Sequence, residues 1–264
     1  MGLIGGKPGY QLLRWISSNG QGNSCDGSVY QNRSKIEVLF GSEIWSLLEG
    51  KVVLDFGCGE GEQVIEIAKK GAARVVGLDI REDLLTRARK AAEISGVSDR
   101  CSFTAALSEK VDVILSLDAF EHFQDPAGVL REMRKLLKDD GSAIIEFGPT
   151  WYHPLGGHLF SVFPWAHLIF TEAALIRWRS DFKTDGATRF SEVEGGLNQM
   201  TVRRFEEIVA ESDFRFANFK CVPIRRLRPL ANSLTREFTT AIVRCRLVSR
   251  APLESGEGEG FGIR

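Results

Sequence analysis

From Lys51 onward the apolar positions of the chain fall into two alternating rhythms. Val52–Phe56 is a short apolar run that ends in glycines, which predicts a strand buried on both faces of a parallel sheet. Glu60–Lys70 follows with Val64, Ile65, Ile67 and Ala68 on one helical face. The two signals then repeat as strand Arg74–Ile80, helix Glu82–Ser95, and strands Cys101–Leu107 and Val111–Leu117. Helix Pro126–Leu137 comes next, with Asp125 as its cap and Pro126 at its first position, and strand Ser142–Phe147 starts after Asp140-Gly141 closes that helix. Thr201 caps a further helix at Val202–Glu211, and two final strands are expected at Phe214–Val222 and Phe238–Val248. Strand-helix repetition of this kind predicts an α/β fold with a mostly parallel sheet covered on both faces.

The rhythm is absent in three places. Residues 1–33 are rich in Gly, Ser, Asn and Gln and read as a loose arm with one short helix at Gln11–Ser17. A helix over 34–48 follows, with Ser34 as N-cap and Glu37 completing a capping box. Residues 149–200 contain Pro149, Pro154 and Pro164, glycine pairs, three of the four histidines and three of the five tryptophans, the make-up of an insertion after strand five. The Gly/Glu-rich end predicts disorder. The expected organisation is therefore an arm and helix at 1–50, a cofactor-sized core at 51–148, an insertion or lid at 149–200, completion of the core at 201–250 and a disordered tail at 251–264.

Composition narrows the class. The 264 residues carry a formal charge of −1, so nothing global calls for a nucleic-acid partner. Five cysteines without CxxC spacing point to reduced thiols and a cytoplasmic setting. Met1–Tyr10 lacks the charged start and apolar core of a signal peptide. The longest apolar stretch, Leu159–Phe170, is too short to span a bilayer and contains Pro164 and His167; at most it rests on a membrane surface.

The segment Val53-Leu54-Asp55-Phe56-Gly57-Cys58-Gly59-Glu60-Gly61-Glu62 sits at the first strand-to-helix turn. Its glycines permit a tight turn and close approach of a ligand to the backbone. A dinucleotide fingerprint would place the third glycine at 62, where Glu62 stands; here it is Gly61. Asp55, two residues before the first glycine, would repel a pyrophosphate but attract an ammonium group. Asp79, at the end of strand two, suits both hydroxyls of a ribose, a feature that dinucleotide enzymes share.

With the later stretch Val113-Ile114-Leu115-Ser116-Leu117-Asp118-Ala119-Phe120-Glu121-His122-Phe123, and Leu130, Glu132, Arg134, Leu137, Lys138 and Gly141 after it, the chain resembles the class I S-adenosylmethionine-dependent methyltransferases of the small-molecule type over Lys51–Gly148. The resemblance implies a Rossmann-like seven-stranded sheet with an antiparallel last strand. It implies S-adenosyl-L-methionine as cofactor, over the C-terminal ends of strands one to four. On this chain the cofactor residues would be Asp55, Gly57, Cys58, Gly59, Gly61, Asp79, Ile80, Ala106, Leu107 and Leu117. The family usually has an acid directly after strand three; Phe103–Ser108 supplies none, which leaves backbone groups near Ala106 and Leu107, or Glu109, to hold the adenine.

For the acceptor, Asp118, Glu121 and His122 would share one face if their stretch were helical, a pattern similar to the acidic-acidic-histidine set of ubiquinone-pathway O-methyltransferases, which can bind a divalent ion. The preferred reading is that Glu121-His122 belongs to the fold, so no metal ligands are assigned. His122 suits a general base. His153 and His158 flank a Pro-Leu-Gly-Gly turn inside the aromatic insertion and are expected to face the acceptor, with Asn198 and Gln199 as further polar contacts. Residues 201–250 hold ten Arg and one Lys against five acids, with Arg225, Arg226 and Arg228 clustered; an anionic acceptor and a solvated face are both compatible with that. The expected function is methyl transfer to O or N of a small molecule. The alternatives are methylation of RNA or protein, and a non-catalytic cofactor-binding protein.

Overall fold

The computed structural model describes residues 2–20, 33–193 and 195–250; the expected tail at 251–264 and residues 21–32 of the expected loose arm lie outside these. The helices are α1 (Gly6–Ile16), α2 (Lys35–Phe40), α3 (Ile44–Leu48), α4 (Glu62–Lys69), α5 (Glu82–Ile94), α6 (Pro126–Leu136), α7 (Ala166–Ile169), α8 (Glu172–Ser180), α9 (Val202–Ala210) and α10 (Arg236–Thr239). The strands are β1 (Val52–Phe56), β2 (Arg74–Leu78), β3 (Cys101–Thr104), β4 (Val111–Leu117), β5 (Leu137–Phe147), β6 (Phe214–Pro223) and β7 (Thr240–Ser249).

The seven strands form one sheet in the order β3-β2-β1-β4-β5-β7-β6. β1 to β5 pair in parallel, and β7 runs antiparallel to both its neighbours, as the resemblance implied. Strand order reverses between β1 and β4, so the crevice at their C-terminal ends is the place where such sheets bind ligands. Alternation along each strand separates two cores. Val53, Val75, Val113, Leu115 and Ile144 pack under α2 to α5, while Leu54, Val76, Ile114, Ile145 and Leu247 pack under α6 and α9.

Three caps read from the sequence are made: Ser34 accepts from the Glu37 amide, Asp125 from Gly128 and Thr201 from Arg204. Other boundaries differ. The expected 34–48 helix is two, because Gly41 at φ 84° ends α2. β5 starts at Leu137 rather than Ser142: Leu137 pairs with Val111, and a register shift before Val113 absorbs the Asp139-Asp140-Gly141 step. The N-terminal region is less loose than its composition suggests. α1 begins at Gly6, buries Leu13, packs on α8, and is fixed by a bridge between Ile4 and Phe170. Together with Trp151, Phe160, Phe170, Trp178 and Phe190 it builds a third core within the insertion. Among the described residues no helix is long and apolar enough to cross a membrane.

Candidate functional site

The β1–α4 turn is fastened before it meets any ligand. The amides of Gly57 and Cys58 both donate to the Leu78 carbonyl at the end of β2, at 2.8 and 3.0 Å. Two of its glycines have different reasons to be there. Gly61, at φ 80°, sits where a Cβ would strike the Phe103 ring at 2.6 Å, so it serves packing of the helix onto the sheet. Gly59, at φ 52°, has nothing within 4 Å of the position its Cβ would take, so its backbone borders open space in the crevice. Cys58 is buried and its thiol pKa is pushed well up, by burial and then by Asp55 and Asp79; it is not a nucleophile here.

Two carboxylates flank the turn. Asp79 receives the Gly59 amide on Oδ2 at 3.0 Å and the Arg81 amide on Oδ1 at 3.0 Å, with the Arg81 guanidinium forked across both oxygens at 3.1 Å. Burial works against its ionisation, but these donors outweigh it and hold its pKa below the usual range. The Arg81 side chain is half exposed and free to yield its place. Asp55 is 3% exposed, and its Oδ2 has no hydrogen-bond partner. Burial, opposed by Lys35 and aided by Asp79, raises its pKa to about 7. A buried acceptor without a donor is costly, so this is a place that a cationic or N–H group would satisfy.

The remaining expected cofactor residues are arranged as follows. Ile80 projects into solvent at 89% exposure beside Asp79. The Ala106 amide and carbonyl both turn back onto the Thr104 hydroxyl, which leaves Leu107 as the nearer source of free backbone groups. The Leu117 side chain is buried in the core beneath the crevice. Glu109 is corrected: it pairs with Arg74 at the start of β2, the opposite end of the sheet.

After β4 the chain forms a turn rather than a helix, so Asp118, Glu121 and His122 do not share a helical face. Asp118, at φ 47°, swings out to an ion pair with Lys35. Glu121 turns inward to 2% exposure, where its Oε1 accepts from the Gly148 amide at 3.1 Å and its Oε2 is unpartnered. Burial and then the Asp118 charge lift its pKa to about 8. Glu146, fully buried on β5, is raised for the same reasons, with Glu121 adding to them. Asn198 clamps this turn: its Nδ2 donates to the Phe120 and Phe123 carbonyls at 2.8 Å each, and its amide donates to the Glu121 carbonyl. Its Nδ2 and amide position the turn, and its Oδ1 is left without a partner.

His122 and His158 come together with ring centroids 5.2 Å apart. The Nδ1 atoms face carbonyl oxygens, Gly196 at 2.8 Å and Gly156 at 3.1 Å, so Nδ1 carries the proton and Nε2 is left as a bare acceptor in each neutral ring. His153 is the opposite tautomer, because its Nδ1 accepts from the Leu155 amide at 3.0 Å. Burial lowers the pKa of His153 and His158 to about 4, helped in each case by neighbouring histidines. Ligand atoms of Glu121, His122 and His158 all lie within 4.8 Å of one another, a set able to hold a divalent cation. Sequence reasoning named all three side chains, but local spacing offered Asp118 as the third member of the set. The meeting of His122 with His158 is a long-range contact that no local pattern encodes. Lys35 and Glu146 were missed for the same reason.

Residues 47–149, less than half of the chain, match the model of a family described as a methyltransferase domain. The seven-stranded sheet is the fold of a putative S-adenosylmethionine dependent methyltransferase from Listeria monocytogenes, which superposes with a TM-score of 0.52 at 16% identity over 79% of this chain and 97% of that one. The chain is 39% identical over 99 residues to a ubiquinone biosynthesis O-methyltransferase of Neisseria meningitidis serogroup A, covering 35% of this chain and 42% of that protein. It is 36% identical over 96 residues to cycloartenol-C-24-methyltransferase 1 of Oryza sativa subsp. japonica, covering 34% and 28%. The aligned stretch thus spans less than half of either relative. A magnesium protoporphyrin IX methyltransferase from Synechocystis PCC 6803, solved with bound SAH, superposes with a TM-score of 0.54 at 19% identity over 92% of this chain and 95% of that one, which shows the shared fold.

Proposed function

We propose that this protein is an S-adenosyl-L-methionine-dependent methyltransferase acting on an oxygen or nitrogen of a small molecule held between the β4–α6 turn and the insertion. The observation that carries the reading is the unpartnered, buried Asp55 carboxyl beside a glycine turn whose Gly59 backbone opens on the crevice. When bound, the cofactor supplies an already activated sulfonium methyl, so the protein has to align the acceptor and take its proton. Asp55 accepts from the amino-acid ammonium of the donor. Asp79 accepts from the ribose hydroxyls as Arg81 swings aside, and Ile80 covers one face of the base. On the acceptor side, Nε2 of His122 takes the proton of a hydroxyl, Nε2 of His158, which burial keeps neutral, accepts a hydrogen bond, and Nε2–H of His153 donates to an acceptor oxygen.

A second reading of the acceptor site rests on the unpartnered Oε2 of Glu121: a divalent cation on Glu121, His122 and His158 that lowers the pKa of an acceptor hydroxyl. Calorimetry with the donor, and transfer of labelled methyl to phenolic, carboxylate and amine acceptors, tests the proposal. Asp79→Ala is expected to cost about a hundredfold in donor affinity, two charge-assisted hydrogen bonds, with the fold intact by circular dichroism. Unchanged affinity would refute the assignment.

A further inference from the structure

We propose that the connection between β6 and β7, Arg225 to Phe238, is a docking surface for an anionic phospholipid bilayer. β6 is parallel to β1–β5, so this connection leaves the sheet at the same rim as the crevice. Three arginines, Arg225, Arg226 and Arg228, are exposed there, and none forms an ion pair among the described residues. No acid occurs between Cys221 and Glu237. Glu237 is itself spent on the amides of Val202 and Arg203 at the start of α9, and Arg236 is held by Glu206. The positive charge of the stretch is therefore uncompensated.

Apolar side chains stand among these cations. Leu234 is 92% exposed, Leu230 61% and Phe238 48%. A flexible loop would fold such residues inward, but this one is tied in place. Asn232 Oδ1 receives the amides of Leu234 and Thr235, and the Thr235 hydroxyl donates to the Leu230 carbonyl. Leucines held outward beside unpaired arginines match the two layers of an acidic membrane surface, acyl chains under phosphate headgroups. A nucleic acid would leave the leucines in water, and a second copy meeting face to face would bring like charges together. Phe238 stacks on Tyr152 of the insertion at 5.0 Å, so the surface is continuous with the wall of the acceptor site.

Co-sedimentation with vesicles tests this. The full chain is expected to bind phosphatidylcholine vesicles containing about 30 mol % phosphatidylglycerol, to ignore pure phosphatidylcholine, and to be released by salt. Arg225→Ala/Arg226→Ala/Arg228→Ala is expected to weaken vesicle binding at least about tenfold, and Leu234→Ser severalfold, each with unchanged melting temperature and donor affinity. Failure to bind acidic vesicles, or equal binding by the triple variant, overturns the proposal. So does retention of a short RNA in place of vesicles, or concentration-dependent dimerisation that the triple variant abolishes. Donor affinity is read separately, so loss of this surface and loss of the methyltransferase reading are distinguishable.

Discussion

Residues 52–147 and residues 149–200 both bury large side chains, but they reach that burial by different routes. In the sheet region each strand and helix buries a periodic stripe against the element next to it, as Val53 and Val113 do under α4. In the insertion the apolar residues are scattered. Trp151, Phe160, Phe170 and Trp178 find one another only with Leu13 of α1, from the far end of the chain, and with short helical turns that have little stripe of their own. The comparison matters for function because the two regions divide the proposed chemistry. The donor groups Asp55, Gly59 and Asp79 lie in the segment shared with relatives, and His153 and His158 lie outside it. Two relatives that align over 99 and 96 residues have names that place the methyl on oxygen in one and on carbon in the other. In the proposed reading the shared segment binds the donor and the private one selects the acceptor.

The largest predicted effect breaks the private region alone. Trp178 is 1% exposed and its Nε1 donates to the Ser17 carbonyl at 2.9 Å, which ties α8 to the end of α1. Trp178→Ala removes a large buried side chain and is expected to cost about 3–5 kcal/mol locally. Limited proteolysis should then cut within 149–200 and near α1 while calorimetry returns donor affinity within about twofold of the parent. A parallel loss of donor binding would mean that the two regions fold as one unit, and the division of labour would fail.

A smaller effect probes the shared region. Free Asp55 has its pKa raised to about 7, chiefly by burial, so near neutrality it is partly protonated. If the donor's ammonium binds only the carboxylate, affinity rises as pH increases through 7 and levels off above it. Between pH 6 and pH 8 the dissociation constant should fall about tenfold. Asp55→Asn should bind weakly and show no such dependence. A flat profile in the parent protein would remove Asp55 from the donor site.

How much of this was legible in the sequence follows the same division. β1 and β4 begin and end where their apolar runs do, and Ser34, Asp125 and Thr201 cap as short-range chemistry dictates. The glycine turn was legible because its chemistry lies within a few residues. β5 was misplaced because its first pairing, Leu137 with Val111, depends on a neighbouring strand and not on its own pattern. Of α1 only Gln11 onward was read as helix, because the glycines and polar residues of its first turns hide a stripe that only α8 makes useful. Asp118, Glu121 and His122 stood out by spacing, yet Lys35 draws the first away and His158 stands beside the other two. Those two events are contacts across the fold, and spacing is silent about them.

Glu121 stands where the two regions touch, and it supplies the smallest predicted effect. Its pKa is lifted to about 8 by burial and by Asp118, so the folded protein keeps a proton that the unfolded chain releases above the ordinary carboxyl range. Folding stability contributed by this group is therefore complete at low pH and is lost as pH rises toward 8. The buried histidines act in the opposite sense: with pKa values near 4 they are protonated more readily when unfolded, so their contribution grows with pH, but it is complete by about pH 6.5. Between pH 6.5 and 8.5 the buried carboxyls act without that opposition. Glu121→Gln keeps an acceptor for the Gly148 amide and cannot ionise. Urea midpoints should show the variant gaining on the parent across that interval by roughly 1–2 kcal/mol, in continuation of a gain that starts above the ordinary carboxyl range, below which the two are nearly equal. Parallel curves would mean that Glu121 is already ionised in the folded protein. Added zinc or cobalt sharpens the result, because a cation on Glu121, His122 and His158 favours the carboxylate and should flatten the parent's curve alone. A flattening that also occurs in His158→Ala would assign the cation to other ligands and separate Glu121 from the insertion.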